Sequence, residues 1–299
     1  MRSQKSNEAS EKGTLYLVPT PIGNLEDMTF RAVRILREAD WIAAEDTRNT
    51  KKLCNHFEIH TPLVSYHEHN KASSGRQLID RLLQGANVAL VSDAGMPSIS
   101  DPGYEIVQEA LNEEIAVVPL PGANAALTAL IASGIQPQPF YFYGFLPRGK
   151  KERKAELEKL KKQDGAILLY EAPHRLKVTL QDLYAIMGDR KLVLCRELTK
   201  RFEEFLRGTL SSAVNWTEKE EIRGEFCIVL EGSGETEVEE QPPWWTALGL
   251  KEHVEHYIAH EQLSSKEAIK RTASDRQLPK RKVYQAYHIH DEDQEQESD

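Results

Sequence analysis

Short apolar runs alternate with helical patterns along the first half of the chain. TLYLVP, from Thr14 to Pro19, predicts a first strand, and Met28, Ala32, Ile35, Leu36 and Ala39 then fall on one helical face. WIAAED (Trp41 to Asp46) predicts a strand that ends in two acids. Leu78, Ile79, Leu82 and Leu83 mark a helix that stops at Gly85, since glycine enters the left-handed cap conformation cheaply. VALVSD (Val88 to Asp93) predicts a buried strand and AVVPL (Ala116 to Leu120) another, followed by an alanine-rich helix from Ala123 to Ser133. Alternation of this kind argues for βα units on a largely parallel sheet.

A second block begins at FYFYGF (Phe140 to Phe145), after a proline-rich link from Ile135 to Pro139. A basic helix from Lys150 to Lys162 leads into AILLYEA (Ala166 to Ala172). The next helix, Pro173 to Met187, carries proline in its first turn, where the missing N–H costs least. KLVLCREL (Lys191 to Leu198), EEFLRGTL (Glu203 to Leu210) and EFCIVLEG (Glu225 to Gly232) read as consecutive strands, so this sheet is expected to be less purely parallel. Three short helical patterns close the chain, at about Ala247 to His260, Ser264 to Ser274 and Pro279 to His288. Ser264 and Glu267 have the spacing of a capping box. The expected fold class is α/β, with two domains and a small C-terminal helical module. The expected segments are a disordered N-terminus at 1–12, an N-terminal α/β domain at 13–135 and a second α/β domain at 136–232. An acidic linker at 233–243, a helical module at 244–290 and an acidic, disordered tail at 291–299 follow.

Composition narrows the class. The 299 residues are 40% hydrophobic and 28% charged, ordinary for a globular protein with a core. Met1 to Lys12 is polar and lacks the apolar run of a signal peptide, and no stretch approaches the ~20 apolar residues of a membrane span. Cys54, Cys195 and Cys227 form no CxxC pair, which argues against structural zinc and disulfides and fits a reducing cytoplasm. His253, His256 and His260 share a helical face, but a zinc site wants further ligands and usually cysteine, so no metal is expected. The net charge of −9 disfavours nucleic acid only until its distribution is read. Six acids lie in Asp291–Asp299 and four in Glu235–Glu240, so everything else carries +1. Local basic patches then decide what the folded part binds.

The chemistry-bearing loops follow strands: PTPIGNLED after the first, SDAGMPSISDPG after VALV, and PGANAA after AVVPL. Ligands of open α/β sheets bind where loops leave the carboxyl ends of strands. Glycines there let a ligand approach the backbone, and prolines fix the loop in advance. No GxGxxG follows the first strand and no GxxxxGK[ST] occurs, which argues against a dinucleotide site and against a P-loop.

The run LYLVPTPIGNLEDMTFRAVRILREADWIAAEDTR, with SDAGMPSISDPG, PGANA, YGFLPR, YEAPHR, RELTKRFEE and RGEF, closely resembles the bacterial 2′-O-ribose methyltransferases that act on a cytidine of small-subunit ribosomal RNA. These belong to the tetrapyrrole methylase superfamily. The resemblance covers about Gly13 to Gly232 in order, and LPKRKVY extends it into the last module. Met96 and Ser98 depart from it, since the family more often has threonine and glycine there. The resemblance implies a tetrapyrrole-methylase-like fold of two α/β domains, S-adenosyl-L-methionine as cofactor in the cleft between them, and a homodimer. It places cofactor contacts on Pro21, Ile22, Asp93, Ala94, Gly95, Met96, Asn124 and Ala125, and from the second domain on Tyr170, Glu171, Gly224 and Phe226.

A ribose 2′-hydroxyl attacking a sulfonium methyl needs positioning above all, with a base adding ~10²–10⁴-fold. Glu45 and Asp46, beside Arg48, are the catalytic candidates, although a structural salt-bridge cluster explains them equally well. RNA contacts need cations that reach phosphates. Arg148 to Lys162 holds eight basic and three acidic residues, and Ser264 to Lys282 seven and two. Arg148, Lys150, Lys151, Arg175, Arg196, Lys200, Arg201, Lys280, Arg281 and Lys282 are the RNA candidates, with a solvated helix face the plainer reading of the first run. The expected partner is small-subunit ribosomal RNA or the assembled subunit, with neither DNA nor membrane. The rival readings are a tetrapyrrole methylase, a protein-modifying methylase of the same superfamily, and a non-enzymatic RNA-binding assembly protein.

Overall fold

The computed structural model describes residues 3–6, 11–234 and 243–288. The acidic runs 235–240 and 291–299, and half of the N-terminal segment 1–12, lie outside them. The chain divides into two compact units, Met1–Thr236 and Glu237–Asp299.

The first unit holds two five-stranded sheets. In the first sheet β1 (Thr14–Leu17), β2 (Trp41–Ala44), β3 (Leu63–Ser65), β4 (Val88–Val91) and β5 (Ala116–Pro119) run parallel in the order β3-β2-β4-β1-β5. Helices α1 (Phe30–Glu38) and α2 (Thr47–His56) put Ala32, Ile35, Leu36 and Cys54 in one cluster with Ile42, Ala44, Ala89 and Val91. Helices α3 (Lys71–Leu83) and α4 (Tyr104–Asn112) put Leu78, Ile79, Leu82, Ile106 and Ala110 in another with Leu15, Ala43, Val88 and Leu90. Neighbouring strand residues thus point to opposite layers, and β4, buried at every position, is apolar throughout.

The second sheet has the order β6-β7-β10-β8-β9, from β6 (Phe140–Phe145), β7 (Ala166–Glu171), β8 (Lys191–Arg196), β9 (Glu204–Thr209) and β10 (Phe226–Leu230). Only the β6–β7 pair is parallel, so the expected loss of parallel order is observed. One face carries α6 (Lys150–Leu160), α7 (Pro173–Met187) and α8 (Leu210–Lys219). The other packs Leu168, Val193, Cys195, Cys227 and Val229 against Ala126, Ala129 and Leu130 of α5 (Ala125–Ser133). The sequence pattern grouped α5 with the first block, yet its apolar face is buried on the second sheet. Inside the basic run, Arg153 is buried and donates through Nε (2.9 Å) and Nη2 (2.7 Å) to Asp182 of α7. Removing either partner strands a buried charge at a cost of ~3–5 kcal/mol.

The periodicity did not mark α2, α4, α8 or β3. α2 reads TRNTKKLCNH and buries only Thr50 and Cys54, so it lacks an apolar stripe. α8 separates β9 from β10, which the sequence made consecutive strands.

In the loop after β4, Ser98 has φ +68°, and its buried Oγ has no partner among the described residues. A Cβ on Gly103 would come within 2.0 Å of that Oγ. A left-handed backbone at this position is one that glycine, which the resemblance leads one to expect here, adopts without strain.

The second unit is three helices, α9 (Leu250–Glu261), α10 (Ser265–Asp275) and α11 (Lys280–His288), closed over Val254, Tyr257, Ala268, Ile269, Ala273 and Val283. The Ser264 backbone N–H donates to Glu267 Oε2 at 3.2 Å, as the capping spacing predicts. The Ser264 hydroxyl turns to the same carboxylate (2.6 Å) instead of to the helix. His253 is fully buried, stacked on Trp245, and its Nδ1 accepts from Arg276 Nε at 3.1 Å. Burial and then the Arg276 charge hold this imidazole below its ordinary pKa, against the pull of Asp275.

Two outcomes follow. Ser98→Gly is expected to stabilise the first unit by about 1 kcal/mol, since relief of left-handed strain (~1–2 kcal/mol) outweighs the added chain entropy. An unchanged or lower melting temperature refutes this. A histidine with a depressed folded pKa gives stability that is present above its unfolded value of 6.5 and lost as pH falls below it. Hydrogen exchange in α9 and α10 should therefore quicken between pH 7 and 5, and His253→Gln should flatten that dependence.

Candidate active site

Strands β1 and β4 are neighbours, so their carboxyl ends deliver two loops to the same place. The loops are tied by a bridge: Thr20 N–H donates to Gly95 O (2.9 Å) and Gly95 N–H to Thr20 O (3.0 Å). Thr20 Oγ1 donates to Ser92 O at 3.0 Å and Ser92 Oγ to Gly95 O at 3.1 Å. Gly95 has φ +77°, a conformation that glycine adopts without strain.

This paired segment has a cavity on each side. The first, of about 340 Å³, lies between the two sheets and receives Ile22, Ala94, Gly95 and Met96 from the loops and Asn124 and Ala125 from the start of α5. Tyr170, Glu171 and Phe226 reach it from the second sheet. It also takes Asp101, Phe145, Cys195, Glu197, Glu225 and Cys227, which sequence reasoning missed. The second, of about 250 Å³, receives Thr20, Pro21, Ser92 and Asp93 from the same loops and Asn49, Thr50, Lys52 and Leu53 from α2. The bridge therefore separates Pro21 and Asp93 from the other expected cofactor residues.

The first cavity is walled mostly by apolar side chains, with a few polar groups at defined places. Asn124 caps α5, its Oδ1 accepting from Leu127 N–H at 2.9 Å, which leaves its amide nitrogen beside Met96 Sδ (3.7 Å). Tyr170 Oη accepts from the Ala126 N–H at 3.1 Å, and burial pushes this phenol up to about 12. Glu171 is spent on its neighbours: Oε1 accepts from Ala172 N–H (2.9 Å) and lies 3.3 Å from Arg175 Nε, and Oε2 accepts from Thr179 (2.6 Å). Gly224 lines neither cavity. At φ +82°, it leaves room for Glu197, whose Cγ would stand 2.5 Å from an added Cβ. Lys200 lies across Gly23 at the rim, held by Glu197 (3.0 Å) and Glu225 (2.8 Å). Cys195 and Cys227, far apart in sequence, are register partners on β8 and β10, and burial pushes Cys195 up to about 12.

The three catalytic candidates separate. Asp46 caps α2, accepting from the Arg48 N–H (2.8 Å) and pairing with Arg48 Nη2 (2.6 Å). These Arg48 hydrogen bonds hold its carboxyl down at about 2, far too low for a base at neutral pH. Glu45 differs. Burial raises its carboxyl, the charges of Asp101 and Asp93 raise it further, and Oε2 is buried with no partner among the described residues. Asp101 lines the first cavity and Asp93 the second, and Glu45, which lines neither, feels the charge of both. Burial and then Asp93 also raise Asp101.

The RNA candidates separate too. Arg175 is engaged, donating to Leu146 O at 2.7 Å, Arg196 pairs with Glu204 at 3.2 Å, and Lys200 is held as described. Arg148, Lys150, Lys151, Arg201, Lys280, Arg281 and Lys282 are exposed, with no ion pair among the described residues.

Residues 14–214 match the family model described as Tetrapyrrole (Corrin/Porphyrin) Methylases. A Ribosomal RNA small subunit methyltransferase I of Bacillus subtilis (strain 168) is 63% identical, over 96% of this chain and 98% of its own. One of Halalkalibacterium halodurans is 60% identical, over 96% and 99%. Among solved structures, a uroporphyrin-III C-methyl transferase from Thermus thermophilus complexed with S-adenyl homocysteine shares the fold at a TM-score of 0.54 and 19% identity, over 74% of this chain and 98% of its own. By identity and coverage the chain belongs to the tetrapyrrole methylase family, on the branch of the ribosomal RNA small subunit methyltransferases I, and is an S-adenosylmethionine-dependent methyltransferase.

Proposed function

We propose that the chain methylates the ribose 2′-hydroxyl of a cytidine in small-subunit ribosomal RNA, using Glu45 as base. The observation that carries this reading is Glu45 itself: its Oε2 is buried without a partner among the described residues, and burial and the charges of Asp101, from the first cavity, and Asp93, from the second, raise its carboxyl. When bound, S-adenosylmethionine supplies an electrophilic methyl on a sulfonium. The first cavity fits that cofactor chemically. Ile22, Met96, Phe226 and the Tyr170 ring give an apolar wall for an adenine, the start of α5 and the Asn124 amide suit a carboxylate, and Asp101 suits an ammonium or a ribose hydroxyl. Glu45 takes the proton released as the hydroxyl attacks. Asp46 and Arg48 hold the end of α2 in place and act through it.

The RNA reading rests on the exposed cations of α6 and α11, which suit phosphates, and on the ribosomal RNA named for the two close relatives. Free cysteines fit a cytoplasmic location. Homodimerisation is supported by apolar side chains standing in water, Phe30 at 98% exposure, Ile131 at 81% and Phe202 at 70%. Light scattering on the pure protein tests it.

Radiolabelled methyl transfer to small subunits, naked ribosomal RNA and a tetrapyrrole, followed by nuclease digestion, is expected to leave label in a 2′-O-methylcytidine. Label in the tetrapyrrole overturns the reading. Glu45→Gln should lower kcat by ~10²–10⁴ and remove the acid limb of the pH profile, with cofactor affinity unchanged. Full turnover in this variant removes Glu45 as base. Replacing Lys280, Arg281 and Lys282 together by glutamate should weaken RNA binding and flatten its salt dependence by about one unit of slope per lost phosphate contact. An unchanged salt slope takes α11 out of the RNA surface.

A further inference from the structure

We propose that the second cavity is the receptor for the pyrimidine base of the target nucleotide, with Asp93 reading its exocyclic amine. This rests on the RNA reading above and specifies its substrate contact. The cavity measures about 250 Å³, below the ~300–1,000 Å³ of sites for drug-sized ligands and suited to one base. Pro21, Leu25 and Leu53 supply apolar surface for the ring faces. The hydroxyls of Thr20 and Ser92 are already committed to the loop bridge. Asp93, Asn49 and Lys52 are therefore the groups free to specify a ligand.

Their chemistry matches the Watson–Crick edge of cytosine, which presents one amine donor and two acceptors. Asp93 has only acceptor lone pairs. Oδ1 uses one on the Asp46 N–H (3.1 Å) and Oδ2 one on Asn49 Nδ2 (3.1 Å), so each oxygen keeps another for the amine. A carboxylate accepting from the cytosine amine is an established recognition pair. Lys52 is exposed, has no partner among the described residues and can only donate, as the two cytosine acceptors require. The Asn49 amide is fixed by its bond to Asp93, which sets the direction of its remaining N–H.

Placement connects the base to the reaction. Asp93 and Ala94 are consecutive yet line different cavities, as are Pro21 and Ile22. Consecutive Cα atoms are ~3.8 Å apart, so a base in the second cavity keeps its ribose within reach of the first. Glu45, within electrostatic reach of Asp93 in the second cavity and Asp101 in the first, is the base this placement offers to that ribose.

The experiment measures single-turnover methyl transfer to small-subunit RNA carrying cytidine or uridine at the target position, with S-adenosylhomocysteine affinity in parallel. Wild type is expected to prefer cytidine. Asp93→Asn should lose about ten- to a hundred-fold on cytidine and narrow the cytidine-to-uridine ratio, because the new amide donates to the uridine carbonyl. Its affinity for S-adenosylhomocysteine should hold within about two-fold. Lys52→Met, at an exposed position with no folding role, should slow transfer to RNA with the same affinity and melting temperature. An unchanged ratio in an active Asp93→Asn overturns the base pocket and leaves RNA methylation standing. Loss of S-adenosylhomocysteine binding in that variant also overturns it, by moving Asp93 to the cofactor. Absence of transfer to either RNA by wild type refutes both readings.

Discussion

The pair of hydrogen bonds between Thr20 and Gly95 is the constraint on which the site depends. Strand order makes it possible, because only neighbouring parallel strands bring their carboxyl ends, and the loops that leave them, side by side. The bridge converts two flexible turns into a short double-stranded wall. Each loop changes sides once, between Pro21 and Ile22 and between Asp93 and Ala94, so one wall serves two cavities with different side chains. Its polar side chains are consumed in holding it together, and a substitution at Thr20 or Ser92 would disturb both cavities at once.

Electrostatics separates the carboxylates that surround this wall. Asp46 and Glu171 are surrounded by donors and do structural work, one as a helix cap and the other between Ala172, Thr179 and Arg175. Glu45 has a hydrogen bond from the Asp93 backbone and Asp101 one from the Ser92 side chain, but burial together with nearby negative charge outweighs these and raises both. Two adjacent acids, Glu45 and Asp46, thus receive opposite shifts from environments one residue apart. One acid is thereby held charged and its neighbour is made the easier of the two to protonate, the kind of divergence that separates acid and base roles in catalytic sites.

Much of this was legible in the chain. The strands, the loops that follow them and the chemical character of each loop could be read because βα alternation leaves a strong apolar pattern. Ser98 shows that even a departure from the family pattern had a structural correlate, a left-handed residue where glycine is at ease. The illegible parts are those fixed by long-range pairing. Nothing local says that Cys195 and Cys227 face each other across β8 and β10, or that α5 packs on the second sheet. Similarly, α2 escapes periodicity because its outer face is polar and its buried face is only Thr50 and Cys54.

The same reasoning explains why motif order alone places Asp93 beside residues that line the other cavity. A motif lists residues in order, and order is silent about which side of a wall each side chain occupies. Ser92 is buried at 2% exposure in the bridge, so Asp93 must emerge on the α2 side, where the Asp46 N–H and Asn49 meet it. Gly95 then has to turn with positive φ to bring the chain back toward α5. Backbone geometry therefore gives Ala94 and Gly95 to one cavity and Asp93 to the other, although a single short motif contains all three.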